Sequence, residues 1–123
     1  MLKVHARNLE NVAILCLQGP IVNGETAALR HAVDSQSKVS AVVLDLARVS
    51  TVDAGGLGVM LELRAQTESK GIGFKLTNVN KFVGSVLEVT RLNSVFEVTS
   101  SGEPLPVVAR ARRAPMMELA RCA

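Results

Sequence analysis

Few residues in this chain have side chains suited to chemistry. Two carboxylates, Asp45 and Asp53, stand eight residues apart and flank one predicted loop. A carboxylate pair does acid–base work only when both groups converge on one substrate. Two Asp at one strand end more commonly serve as a helix cap and a turn residue. The histidines are His5, on a predicted strand, and His31, at a polar position of a predicted helix. Both read as surface histidines. No cluster has the three or four ligands that a metal site needs. The chain is therefore not expected to be an enzyme, nor to hold a metal or cofactor.

The segment Asp53-Ala54-Gly55-Gly56-Leu57-Gly58 is the most unusual stretch. Glycines at a helix start can bring backbone N–H groups up to a phosphate. No Lys-Ser/Thr pair follows, and the dinucleotide fingerprint is absent, so the nucleotide reading is weak. The plainer reading has the glycines allowing close packing of helix on sheet, with Asp53 as the cap. Small side chains at Ala54, Gly55, Gly56 and Gly58 also let a partner backbone approach closely, and Asp53 could offer its carboxylate to a partner Arg.

The elements that position this segment follow from periodicity. Leu2–Arg7 alternates as a half-buried strand, and Asn8–Asn11 reads as a turn. Val12–Leu17 is an apolar run expected to be a buried strand, broken by Gly19-Pro20, with Ile21-Val22 as a brief further strand. Asn23 is placed to cap a helix that carries Ala28, Leu29, Ala32 and Val33 and ends near Ser37-Lys38. Ala41–Leu46 has the near-continuous apolar character of a central strand covered on both faces. Val49–Gly56 reads as a loop, and a helix is predicted from about Gly56 to Ser69. Its apolar stripe is Leu57, Met60, Leu61 and Ala65, opposite Gly58, Glu62, Gln66 and Ser69. Gly71 stops it. Gly73–Thr77 is a strand, Asn80 caps a third helix, and Val95–Val98 is a short edge strand. The alternation implies an α/β fold, a small mixed β-sheet with a parallel centre.

Composition narrows the function classes. Of 123 residues, 48% are apolar and 20% charged, which suits one globular domain with a sizeable core. The three Phe stand without any Trp or Tyr, so neither a base-stacking surface nor a sugar-stacking cleft is expected. Net charge is +3, of which residues 1–99 carry only +1, a poor footprint for nucleic acid. The domain is placed at 1–99. Residues 100–123, punctuated by Pro104, Pro106 and Pro115 and carrying Arg110, Arg112 and Arg113, read as a basic flexible tail. Cys16, inside an apolar run, is expected as a buried reduced thiol; with Cys122 it makes neither a disulfide framework nor a metal cluster. No signal peptide or membrane span is recognised, so the expected compartment is the cytoplasm.

The stretch Val43-Leu44-Asp45-Leu46, Val49, then Val52-Asp53-Ala54-Gly55-Gly56-Leu57-Gly58-Val59 resembles the core of the STAS domain, the fold of anti-sigma factor antagonists. Gly24–Leu29 resembles the family's entry into its first helix. Leu87–Leu92 with Val95-Phe96 resembles its third helix and last strand, so the likeness runs over roughly residues 2–99. The resemblance implies helices packed largely on one face of the sheet, and partner switching in place of catalysis. In the family, the domain binds a serine-kinase-like anti-sigma factor and so releases a sigma factor. The kinase then phosphorylates a Ser or Thr directly after the motif Asp, and the complex separates. With those small side chains, the partner-binding surface is expected on Asp53, Ala54, Gly55, Gly56, Gly58 and Glu62.

This chain departs from the family at the phospho-acceptor position, where Ala54 has no hydroxyl. Gly55 has none either, and Ser50 and Thr51 precede the Asp. Arg91 is a milder departure, at a position where the family often has Gly. Three readings follow. The first is an antagonist lacking the usual phospho-switch, a monomer or weak dimer with no direct nucleic-acid contact and no membrane insertion. The second is a STAS module of a lipid-transport or other signalling assembly. The third is a small-anion or nucleotide-binding module.

Overall fold

The computed structural model describes residues 1–36 and 38–99. The chain runs β1 (Lys3–Leu9), β2 (Val12–Ile21), α1 (Ala27–Asp34), β3 (Ala41–Val52), α2 (Ala54–Ser69), β4 (Gly73–Thr77), α3 (Lys81–Val89) and β5 (Glu97–Thr99), with a 3-10 turn at Leu92–Ser94. The five strands lie in the order β1-β2-β3-β4-β5. β1 is antiparallel to β2, and all later pairs are parallel. Each parallel step moves one strand along the sheet in the same direction. Right-handed crossovers then put every connecting helix on the same face, as the expected mixed α/β architecture requires.

The main core lies between that face and the helices. Ala13, Leu15 and Leu17 of β2, Val42, Leu44 and Leu46 of β3, and Phe74 and Leu76 of β4 meet Leu29, Val33, Leu57, Met60, Leu63, Val83 and Leu87 of the helices. The first six residues of β3 are all buried, as their apolar run implies. Phe96 packs its ring 6.1 Å from that of Phe74 and holds the entry to β5 against the core.

Several boundaries differ from the sequence reading. Gly19-Pro20 does not end β2. Register shifts at Cys16/Gln18 and Gly19/Pro20 absorb the irregularity, and pairing with β3 continues to Ile21. That same pairing holds Val49–Val52 in β3, so the predicted loop shrinks to Asp53 alone. α1 starts four residues after Asn23, because Val22–Glu25 forms a turn closed by the Glu25 N–H on Val22 O (3.0 Å), with Gly24 at φ 90°. Asn23 therefore caps nothing. Ala65 faces solvent, while Val59, Leu63 and Thr67 take buried positions on α2. Cys16 is buried, but it is disulfide-bonded and not the reduced thiol expected. The expectations for residues 100–123 lie outside the described residues.

Candidate functional site

Asp53 sits where β3 meets α2 with its backbone extended, at φ −109° and ψ −178°, the geometry of an N-cap. Its Oδ1 accepts the Gly56 N–H at 2.8 Å, satisfying one of the helix's free donors. The same carboxylate accepts the Asn23 N–H at 3.1 and 3.2 Å. One side chain thus starts α2 and ties the β2–α1 connection to it. The Asp53 N–H donates to Ile21 O at 3.3 Å, closing the same junction from the backbone.

The glycines divide by role. A Cβ on Gly56 would lie 1.9 Å from Ile21 O, and one on Gly55 would lie 2.6 Å from Asn23 Cβ. Only hydrogen fits at either place, so the helix start is pressed onto the end of β2. Gly58 is different: a Cβ there would meet nothing within 4 Å. It is exposed in the body of a helix, where glycine is less favourable than alanine by about 1 kcal/mol. Packing does not require this glycine.

Ala54, Gly58 and Glu62 recur every four residues and so form one stripe along α2. All three are exposed. Two steps of this stripe carry almost no side chain, so the backbone itself is presented. At its far end Glu62 is held by Arg30 of α1 in a two-pronged pair, Nη1 to Oε2 at 2.9 Å and Nη2 to Oε1 at 3.0 Å. Hydrogen bonding to Arg30, reinforced by its charge, lowers the Glu62 carboxyl below the usual carboxylate range; the same bond raises the Arg30 guanidinium. Arg30 was not among the site residues read from the sequence. It lies 32 residues from Glu62, and only the packing of α1 beside α2 brings them together.

The carboxylates do not form an acid–base pair. Asp45 is buried within β3, where Oδ1 accepts the Ala47 N–H at 3.0 Å and Oδ2 accepts the Asn78 amide at 2.8 Å. Asp53 is engaged at the start of α2 with different partners. Asn80 caps α3 as expected, accepting the Val83 N–H at 2.9 Å, and also donates to Leu46 O and Val49 O of β3. Ser50 and Thr51, read as loop hydroxyls, stand in β3. Among the described residues no group of three or more His, Cys, Asp or Glu could hold a metal ion. No helix among them is long and apolar enough to cross a membrane. The arrangement is therefore a run of small residues, Ala54 and Gly58 among them exposed, at a tightly braced helix start.

Solved structures share this fold. An anti-sigma factor antagonist from Mycobacterium paratuberculosis superposes with a TM-score of 0.70 at 19% identity, covering 90% of this chain and 93% of that one. The Bacillus anti-sigma factor antagonist SpoIIAA, in its unphosphorylated form, gives 0.65 at 16% identity, over 80% and 87%. A sulfate transporter family protein from Wolinella succinogenes gives 0.62 at 20% identity, over 91% and 89%. The STAS domain family matches residues 3–103. With the match spanning both sheet edges and the whole Asp53 junction between them, the chain belongs to the STAS domain family.

Proposed function

We propose that this chain is an anti-sigma factor antagonist-like STAS protein that works by protein–protein contact in the cytoplasm and not by catalysis. Its partner is a serine-kinase-like anti-sigma factor, docked on Asp53, Ala54, the Gly55-Gly56 turn, Gly58 and Glu62. The observation that carries this reading is the exposed Ala54–Gly58–Glu62 stripe, with a glycine at its centre that packing does not require. Fold likeness to SpoIIAA and to the mycobacterial antagonist supports the class.

SpoIIAA is known in phosphorylated and unphosphorylated forms. Here the first residue of α2 is Ala54, which offers no oxygen to phosphorylate. The proposed complex is accordingly not dissolved by phosphorylation at this position. Affinity capture from native extract, with wild type and Ala54→Glu side by side, tests the reading. Recovery of a serine-kinase-like protein by wild type but not by Ala54→Glu supports it. The likeness to the Wolinella sulfate transporter family protein favours a second reading, a STAS module of a transport assembly. Recovery of transporter subunits would select it.

A further inference from the structure

The outer side of α3 carries an exposed apolar seam. Phe82 and Val89 are 47% and 84% exposed, although both are large and apolar. With the exposed Ser85 between them they recur at spacings of three and four residues, the seam along which two helices pack. Val83 and Leu87 fill the side of α3 that is buried in the core, and the half-buried Val86 packs against that core as well. The fold itself makes little use of the seam.

The charges beside the seam stand the wrong way round for their own helix. Lys81 is the first residue of α3, at the positive end of its dipole, and Glu88 lies in the last turn, at the negative end. No acidic residue occupies the first turn and no basic one the last. Neither Lys81 nor Glu88 makes an ion pair with a described residue. They are seven residues apart and so lie on one flank of the seam.

An antiparallel helix along the seam corrects both mismatches. It needs an acidic side chain at its C-terminal end, to meet Lys81, and a basic one at its N-terminal end, to meet Glu88. α3 has that arrangement itself. A two-fold axis near Ser85 brings the same flank of two copies together, so Lys81 of each copy faces Glu88 of the other. Phe82 of each then lies against Val89 of the other, and the small Ser85 lets the helices approach.

We propose that the outer side of α3 is a self-association surface, whose occupant is α3 of a second copy of this chain, antiparallel across that axis. A helix of 9 residues is only about 13 Å long. Contact along it buries less than the roughly 1,200 Å² at which stable interfaces begin, so the dimer is weak and depends on concentration. It stands independently of the partner assigned to the α2 stripe.

Sedimentation velocity of the full chain over rising concentration tests the surface. The expected result is exchange between one chain and two, abolished by Phe82→Asp. Lys81→Glu and Glu88→Lys each turn two attractions between copies into repulsions, so each alone should weaken dimerisation about tenfold. An equimolar mixture of these two variants restores opposite charges at both contacts and should dimerise as wild type does. Each substitution also suits the dipole of its own helix, so the dilute variants should unfold at urea concentrations no lower than wild type. That comparison separates loss of contact from loss of fold. Wild type that stays a single chain at every concentration would overturn the proposal and leave the seam to a different protein. A dimer indifferent to Phe82→Asp, or a mixture that shows no rescue, would overturn it too.

Discussion

The Asp53 carboxylate accepts the backbone N–H of Asn23, 30 residues earlier, with both of its oxygens. The residue that begins α2 therefore also fixes the path of the chain into α1. The two helices whose outer sides carry Arg30 and Glu62 are registered to each other by a group in the proposed contact surface. This coupling separates capping from charge. Asp53→Ala removes the acceptor for both N–H groups and is expected to cost about 1–2 kcal/mol in urea unfolding. Asp53→Asn keeps an acceptor oxygen and should cost less than about 1 kcal/mol. Loss of partner capture by Asp53→Asn at near-normal stability identifies an ion pair; unchanged capture leaves Asp53 as a cap only.

The glycines predict opposite signs. Gly56→Ala forces a methyl group into Ile21 O, and α2 cannot shift without breaking the Asp53 cap. It should cost about 3 kcal/mol, the upper end of the usual scale of overpacking, or prevent folding. Gly58→Ala meets nothing and removes backbone freedom from the unfolded chain. It should add about 0.5–1 kcal/mol of stability. If Gly58 serves contact, the same variant weakens partner capture while melting higher. A variant that melts higher and binds unchanged would remove Gly58 from the surface.

These cases show what was legible. Helix caps depend on residues within a few positions, so the capping roles of Asp53 and Asn80 could be read locally; close packing at Gly56 could be read only from its residue type, because the atom it meets, Ile21 O, lies on another element. The continuation of β2 through Gly19-Pro20 could not be read locally. It depends on the parallel partner β3 accepting two register shifts, which no short window contains. Ser50-Thr51 looked like loop by residue type, yet tertiary pairing held it as strand. Asn23 has the residue type of a cap, but its N–H was claimed by Asp53, and Gly24 turned the chain first. Arg30 was invisible as a site residue because its partner lies on another helix.

Arg91 follows the end of α3 at φ 63°, the left-handed conformation that terminates many helices. Its N–H donates to Glu88 O at 3.1 Å, so the conformation is tied into the helix end. A side chain with a Cβ pays a steric penalty there that glycine avoids. This explains physically why a glycine suits the position. Arg91→Gly is expected to stabilise the fold by about 1 kcal/mol, read as a higher urea midpoint. An unchanged or lower midpoint would mean that the arginine side chain makes a compensating contact.

The Arg30–Glu62 pair gives the pH prediction. Glu62 has its carboxyl lowered in the folded state by hydrogen bonding to Arg30. Its contribution is therefore present above its unfolded-state value and is lost as pH falls through the lowered folded value. The raised Arg30 guanidinium stays charged throughout that range, because its contribution is complete below the ordinary arginine value. The acid window is thus set by Glu62. Comparing urea midpoints of wild type and Glu62→Gln should show a gap at neutral pH that closes as the carboxyl protonates. Both side chains are well exposed, at 39% and 48%, so salt screens the pair and the gap should also shrink at high ionic strength. A gap independent of both pH and salt would mean that Glu62 acts by shape or helix propensity, and that the fork adds no electrostatic hold between α1 and α2.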